Sequence, residues 1–254
     1  METIGSTGSP LIHESFDYIY TSVKKDVLVA SLSGGTDIVG CFIGGNPMSV
    51  VRRGEIQGPI LGMDVHVYDE NGKSIKNEKG ELVCVKSFPS MPIFFWNDNN
   101  NKKYHDAYFN KYENVWCHGD YILKTENNGF IIFGRSDATL NPGGVRIGTA
   151  EIYRQVEKID EVIESLVIGQ NWKNDTRLIL FVVLRENIQL SGELIKIIKD
   201  QLRTGASPRH VPSIIIQAPE IPKTKSGKIV ELAVRDIVNG KEIKNASALS
   251  NPES

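Results

Sequence analysis

Two side chains of opposite charge flank a stretch that has the pattern of a β-hairpin. The segments Tyr121–Lys124 and Phe130–Phe133 have strand-like composition, and Asn128-Gly129 between them tolerates the positive φ of a tight turn. Because a hairpin with arms of near-equal length brings its outer flanks together, we expect Asp120 to lie beside Arg135. A carboxylate can accept from a pair of hydroxyls, and a guanidinium donates in a rigid fork. The spacing therefore predicts a polar ligand site, although an ordinary surface ion pair, which stabilises little, has the same pattern.

A second candidate site is the glycine-rich segment Ser33-Gly34-Gly35-Thr36-Asp37, which follows a predicted buried strand at Asp26–Leu32. Open α/β sheets bind ligands where their strands end. Glycines let the backbone approach a phosphate, a threonine offers a hydroxyl, and an aspartate can reach Mg²⁺. We expect Gly35 and Thr36 to contact a nucleotide, and Asp37 to be the magnesium ligand.

Several motifs in this order resemble the adenylate-forming ligases, the superfamily of acyl-CoA synthetases, luciferases and peptide-synthetase adenylation domains. The resemblance is carried by Ser33–Asp37, Gly119-Asp120, Arg135-Ser136-Asp137, Gly143-Gly144-Val145-Arg146 and the loop Pro222-Lys223-Thr224-Lys225-Ser226-Gly227-Lys228. It implies that Asp120 and Arg135 hold the ribose of ATP. It also implies that Thr36 belongs to the acyl-adenylate motif, in which Asp37 stands where a glutamate is common.

The resemblance assigns further roles in the second part of the chain. Asp137 would be the hinge of a C-terminal lid, and Lys228 would be the catalytic lysine that engages the carboxylate and the α-phosphate. Arg146 would contact phosphate. CoA contacts are expected at Gly143, Gly144 and Arg203.

The phosphate loop of these ligases, which is rich in Ser, Thr and Gly and ends in Pro-Lys, has no match in this chain. The triplet Gly8-Ser9-Pro10 is followed by Leu11, and it precedes Thr36 too closely for that loop. Gly8, Ser9 and Pro10 instead resemble the later segment that lines the adenine pocket. We therefore expect much of the large domain, including the phosphate loop, to precede Met1.

Longer stretches resemble a branch of the family that acts on acetoacetate. They include Ser33–Asp37, Gly134–Arg146, Ser207–Pro212 and the tail Ser250-Asn251-Pro252. Gly34 stands where acetate-specific members place a tryptophan, so the acyl pocket would admit a four-carbon keto acid, and also butyrate. The implied reaction converts ATP, acetoacetate and CoA into AMP, pyrophosphate and acetoacetyl-CoA. Two alternatives stay open: an inactive fragment that binds at most a nucleotide or a partner, and another short- or medium-chain acyl-CoA ligase.

The predicted fold combines an α/β part with an α+β part. Residues 1–134 would be the remainder of a large AMP-binding domain, with a parallel-sheet segment and a small β-barrel, and residues 135–254 the lid domain. In the lid, Ser191 is expected to cap a helix that runs to Leu202 and buries Leu194, Ile197 and Ile198. Ser226 is expected to cap a helix Ile229–Val238, which would place Lys228 in its first turn. Phe94, Phe95 and Trp96 are predicted to be core residues, and Glu81 a structural one.

Composition argues against nucleic-acid and membrane partners. The chain has 254 residues, 24% charged and 40% hydrophobic, with a net charge of -2. Its longest apolar run, Leu178–Leu184, is too short to cross a bilayer. The first residues lack the pattern of a signal peptide, and Cys41, Cys84 and Cys117 have no CxxC spacing. We therefore expect a cytosolic protein with reduced thiols, in which Cys117 and His118 are structural.

Overall fold

The computed structural model describes residues 1–225, 227–242 and 249–251. The chain divides into two compact units, Met1–Ser136 and Asp137–Ser254, each of which is described by itself. Among the described residues, no helix has the length and apolar character that crossing a bilayer would need.

The first unit contains nine strands and two short α-helices among its described residues. The strands are β1 (Thr3–Ser6), β2 (Leu28–Ser31), β3 (Ser33–Gly35), β4 (Gly40–Gly44), β5 (Gly58–Pro59), β6 (Val65–Tyr68), β7 (Lys79–Cys84), β8 (Trp116–Lys124) and β9 (Phe130–Arg135). The helices are α1 (His13–Tyr18), which continues as a π-helical turn over Ile19–Val23, and α2 (Lys102–Tyr108).

A parallel strand pair begins the first unit. Strands β1 and β2 pair in parallel, with Ser6 opposite Ser31 at their carboxyl ends. Helix α1 is the crossover between them, and it buries Phe16 against Val27 and Val29. Strand β1 is absent from the sequence-based expectations because Thr3–Ser6 is short and runs into glycine and serine. The parallel-sheet segment predicted around Asp26–Leu32 is confirmed as β2.

Two antiparallel sheets form the rest of the unit, in the orders β3-β4-β5 and β6-β7-β8-β9. Their core contains the fully buried side chains of Phe42, Leu82, Trp116 and Ile122. The Glu81 side chain on β7 is also buried, and its carboxylate accepts from Lys111 Nζ at 2.6 Å and from the Ser136 hydroxyl. The structural role expected for Glu81 is thereby confirmed.

The second unit packs three strands against helices, as its sequence pattern predicts. Its elements are α3 (Thr149–Val156), β10 (Val162–Trp172), β11 (Asp175–Leu184), α4 (Gly192–Gly205), β12 (Ile214–Gln217) and α5 (Glu231–Val238), with 3₁₀ turns at Pro142–Gly144 and Pro208–His210. Strand β11 is central, antiparallel to β10 and parallel to β12. Ser191 caps α4 by accepting from the Leu194 amide at 3.1 Å, which confirms the predicted cap.

Four expectations about individual side chains are wrong. The Phe94 and Trp96 side chains lie on the surface, with 55% and 85% exposed, because the turns around them leave these rings outside the core. Ile197 is 44% exposed, since α4 buries only the stripe of Leu194, Ile198 and Leu202. Lys228 lies outside the helix because α5 begins at Glu231. Ser226, the predicted cap, lies outside the described residues.

Candidate functional site

The predicted ligand-binding segments of the first unit follow neighbouring parallel strands. The segment Gly8-Ser9-Pro10 comes just after β1, and the segment Ser33–Asp37 just after β2. Because Ser6 and Ser31 face each other at the ends of these strands, both segments leave the same edge of the sheet. This carboxyl edge is where parallel sheets bind ligands. Ser33–Gly35 is itself a short strand, β3, rather than part of a turn, and the turn begins at Thr36.

The hairpin brings Asp120 and Arg135 together as predicted. They are direct partners in the β8–β9 ladder, and Arg135 Nη1 lies 3.3 Å from Asp120 Oδ1. Gly119 has φ +83°, a conformation that other residues rarely adopt, and a Cβ there would lie 2.6 Å from Arg135 Nη2, so a larger residue would be strained and would displace the guanidinium. The Asp120 side chain is 11% exposed and that of Arg135 is 44% exposed. The pair is therefore a fixed site with an accessible cation rather than a loose surface contact.

The hairpin is joined to the glycine-rich segment by side-chain hydrogen bonds. Ser33 Oγ donates to Asp120 Oδ2 at 3.1 Å, which orients the carboxylate from the opposite side to Arg135. A carboxylate has about four acceptor positions, so these two contacts leave capacity for ligand hydroxyls. Ser33 therefore links the Asp120–Arg135 pair to the segment that contains Gly34 and Gly35.

His118 lies directly beneath the glycine-rich segment. Its Nε2 is 3.1 Å from the Gly34 carbonyl and its Nδ1 is 3.5 Å from Trp116 Nε1, so Nε2 carries the proton and Nδ1 accepts. Burial lowers the pKa of this imidazole, which keeps it neutral. A Cβ on Gly35 would lie 2.7 Å from the His118 ring. His118 thus supports the glycine-rich segment through a direct contact. The sequence analysis missed this contact. The signal that could have indicated it is the two-residue spacing of Trp116, His118 and Asp120, which is typical of side chains on one face of a strand.

Asp37 is exposed on the turn after β3 and accepts a hydrogen bond from the Tyr108 hydroxyl. Burial raises the pKa of the Tyr108 hydroxyl, and the Asp37 carboxylate raises it further, so the phenol stays protonated and donates. The Tyr108 ring stacks on Trp116 with centroids 3.6 Å apart. Among residues 1–225, 227–242 and 249–251, no three acidic, histidine or cysteine side chains converge to hold a metal by themselves.

Gly34 is required by close strand packing. A Cβ at this position would lie 2.0 Å from the Gly40 carbonyl oxygen and 2.4 Å from Cys41 Cα, both on the backbone of β4. A side chain at Gly34 therefore displaces a neighbouring strand before it enters any open space. Its assignment to the acyl pocket stays a prediction.

In the second unit, Lys228 lies on an exposed turn. The Thr224 amide donates to the Lys228 carbonyl at 2.8 Å, and the Lys228 amide donates to Thr224 Oγ1 at 3.1 Å. Gly227 has φ +81° in this turn. The lysine backbone is thus fixed while its side chain is exposed, and its catalytic role stays a prediction.

The positions predicted to contact CoA lie on a glycine turn and on the exposed face of α4. Gly143 and Gly144 have φ of +58° and +77° in the turn before α3, and the Gly143 amide donates to Asp175 Oδ1 at 2.9 Å. This bond and one from the Thr176 amide lower the pKa of Asp175. Arg203 is exposed and pairs with Asp200 at 2.7 Å.

Asp137 begins the unit, and its carbonyl accepts from Arg235 Nη1 at 2.6 Å. Arg146 is half-buried between this glycine turn and α3. The Asp137 carbonyl is therefore held by a side chain of its own unit.

The fold and one domain match define the class of protein. Residues 151–228 match the family of the AMP-binding enzyme C-terminal domain. A benzoate CoA ligase from Burkholderia xenovorans, at 23% identity, has the same fold over 92% of this chain and 45% of its own, with a TM-score of 0.77. The matched domain and the shared fold agree with the class that the motifs predict, the adenylate-forming enzymes.

Three proteins with higher identity to this chain carry one name. The chain is 59% identical over 98% of its length to acetoacetyl-coenzyme A synthetase of Rhizobium meliloti (strain 1021), and 48% identical over 100% of its length to that of Xenopus tropicalis. It matches the structure of the Streptomyces lividans acetoacetyl-CoA synthetase over 100% of its length, at 40% identity and a TM-score of 0.90. The chain spans 38% of the length of both sequence relatives and 39% of the solved one. The branch predicted from the sequence is confirmed.

Proposed function

We propose that this chain provides the ribose-binding edge and the lysine-bearing lid of an ATP-dependent acetoacetate–CoA ligase. The reaction would convert ATP, acetoacetate and CoA into AMP, pyrophosphate and acetoacetyl-CoA. The observation that carries the proposal is the Asp120–Arg135 pair, joined through Ser33 to the glycine-rich segment, in a chain whose relatives are acetoacetyl-CoA synthetases.

In the first half-reaction, the acetoacetate carboxylate would attack the α-phosphorus of ATP and expel pyrophosphate. Asp120 would accept from the ribose hydroxyls, with Arg135 beside it, and Thr36 would offer its hydroxyl near the phosphates. The Lys228 ammonium would offset the negative charge that develops on the α-phosphate and the attacking carboxylate. Gly8, Ser9 and Pro10 would line the adenine side, and Arg146 would contact phosphate.

In the second half-reaction, the CoA thiol would attack the acyl carbon and release AMP. The lid would turn about Asp137 between the two steps, so that the Gly143-Gly144 turn replaces Lys228 next to the adenylate. Glycines suit this place because side chains would obstruct the pantetheine arm of CoA. Arg203 would contact the CoA nucleotide after leaving its surface pair with Asp200.

Magnesium would enter this site together with the phosphates of ATP, and it would neutralise their charge. Mg²⁺ commonly binds through one or two carboxylates, with phosphate and water oxygens completing its shell. Asp37 fits that use, because it is exposed and its only described hydrogen-bond donor is the neutral Tyr108 hydroxyl.

The proposal is tested by a segment exchange. The matched stretch of the Rhizobium meliloti relative is replaced by this chain, and two reactions are measured: acetoacetate-dependent pyrophosphate–ATP exchange, and thioester formation from supplied acetoacetyl-adenylate and CoA. We expect both activities in the exchanged protein. A folded exchange protein that lacks both would refute the proposal.

Two substitutions in the exchange protein separate the half-reactions. Lys228→Ala should reduce pyrophosphate exchange about a hundredfold or more and spare thioester formation, because it removes one preorganised charge partner. Asp137→Pro should have the opposite effect, since a fixed φ restricts the hinge. Lys225→Ala, on the same exposed loop, is the matched control for Lys228. Equal losses in both half-reactions would contradict the lid rotation.

The alternatives predict other outcomes of the same assays. A nucleotide-binding module without catalysis would bind AMP, measured by calorimetry on the 254-residue chain, while the exchange protein stayed inactive. Another short- or medium-chain ligase would show a higher kcat/KM for butyrate or a longer acid than for acetoacetate in a substrate panel.

A further inference from the structure

The exposed turn that carries Lys228 is held by residues from far along the sequence. Leu249 bridges to Thr224 in antiparallel fashion, and the Ser250 amide donates to the Lys223 carbonyl at 2.8 Å. Leu249 itself is buried, with 9% of its surface exposed. The segment Leu249–Asn251, here called the tail clasp, thus pairs with one side of the turn that carries Lys228, which is called the lysine turn below.

Asn251 makes the specific part of this contact. Its Oδ1 accepts from the Lys223 amide at 2.9 Å, and its Nδ2 donates to the Ile221 carbonyl at 3.2 Å. The Ser250 hydroxyl adds a bond of 3.1 Å to the Lys223 carbonyl. An asparagine can satisfy an amide and a carbonyl two residues apart, because its side-chain amide carries both a donor and an acceptor.

The other side of the turn is fixed within the second unit. Glu231, the first residue of α5, accepts from the Thr149 hydroxyl at 2.9 Å and from the Tyr153 hydroxyl at 3.0 Å. Tyr153 in turn accepts from the Val167 amide at 3.3 Å. The backbone that follows Lys228 is therefore anchored to α3 and β10, and the tail clasp anchors the backbone that precedes it.

We propose that Asn251 is a positioning residue for Lys228: the tail clasp holds the lysine turn in the one conformation from which the ammonium reaches the adenylation site. The reason is entropic, because a lysine on an unrestrained exposed turn would have to be ordered at the moment of reaction. The proposal rests on the proposed function for the role of Lys228. It assigns a contribution to adenylation to a residue that touches no substrate.

The first test needs no activity. Amide hydrogen exchange at Lys223 is measured in the 254-residue chain and in its Asn251→Ala variant. The variant should exchange at Lys223 about tenfold faster, since it loses the acceptor of the Lys223 amide and the bond to the Ile221 carbonyl. Asn251→Asp keeps the acceptor and loses the donor, so it should fall between the two. Unchanged exchange at Lys223 in the alanine variant would overturn the clasp.

The second test asks whether the clasp acts on catalysis. In the segment-exchange protein, Asn251→Ala should lower acetoacetate-dependent pyrophosphate exchange roughly tenfold while thioester formation from supplied adenylate changes less than about twofold. Faster amide exchange with an unchanged ratio of the two half-reactions would overturn the positioning role.

Asn239→Ala is the matched control for both tests. Asn239 accepts from the Asn171 amide at 2.9 Å, donates to the Gly169 and Arg235 carbonyls, and has no hydrogen bond to the lysine turn in the part of the chain that the structure describes. Asn239→Ala should leave unchanged both the exchange rate of the Lys223 amide and the ratio of pyrophosphate exchange to thioester formation. If this ratio changed as it does in Asn251→Ala, the proposal would be overturned. Inactivity of the unsubstituted exchange protein would refute the proposed function, and amide exchange would still decide the clasp.

Discussion

Gly34 offers a sharp test of why glycine stands in the ligand-binding segment. Adding a methyl group by Gly34→Ala places its carbon 2.0 Å from the Gly40 carbonyl oxygen and 2.4 Å from Cys41 Cα. Ordinary contact between such atoms needs more than about 3 Å, so β4 must move by roughly 1 Å, and overpacking of this kind costs about 1–3 kcal/mol, occasionally more. Because both clashing groups are backbone, we expect the upper end, about 3 kcal/mol. For a chain of this size that loss lowers Tm by about 6–12 °C.

The assay is thermal unfolding followed by circular dichroism, with Gly58→Ala as the matched control. Gly58 lies in the same sheet, on β5, and a Cβ there would meet nothing within 4 Å. The control should therefore change Tm by no more than about 2–4 °C in either direction, since removing a glycine costs or gains less than about 1 kcal/mol. Equal Tm values for the two variants would refute the packing argument. A shift of selectivity from acetoacetate towards acetate at unchanged Tm in the exchange protein would instead support the acyl-pocket assignment.

Three further predictions follow from single contacts. Burial lowers the pKa of His118, so its neutral form contributes stability above the unfolded pKa of about 6.5, and this contribution is lost as the pH falls through the lower folded pKa. The free energy of unfolding, measured with urea at about pH 5 and 7.5, should therefore depend less on pH in His118→Gln than in the unsubstituted chain. An identical pH dependence in the two proteins would contradict this prediction. Ser191→Ala removes the cap on the Leu194 amide and should cost about 1 kcal/mol in the same assay; Ser191→Asp, which retains an acceptor, should not. Glu81→Ala leaves Lys111, which is 41% exposed, without its 2.6 Å partner. Breaking a fully buried pair costs more, but the exposure of Lys111 reduces the expected loss of unfolding free energy to about 2 kcal/mol. A loss below about 0.5 kcal/mol would show that the pair is not structural.

The local part of the site was predictable because it depends on short-range rules. A hairpin fixes which residues face each other, so the Asn128-Gly129 turn was enough to pair Asp120 with Arg135. Periodicity likewise predicted the buried stripe of α4, and a serine before it predicted the cap. Where the signal was a run of aromatic residues with no periodicity, as at Phe94 and Trp96, the prediction of burial was wrong.

The sequence by itself determined the chemistry that is available: a carboxylate–guanidinium pair, a glycine-rich segment after a strand, and a lysine on a glycine turn, in an order typical of one family. Only the tertiary structure decided which of these groups share a surface and what holds them. Four of these contacts are the pairing of β1 with β2, the Ser33 bond to Asp120, the bond between His118 and Gly34, and the bond between Asn251 and Lys223. They join residues 25 to 87 positions apart, and some form from too few residues to leave a sequence pattern. Contacts between distant residues depend on how whole elements pack, and neither periodicity nor turn propensity contains that information.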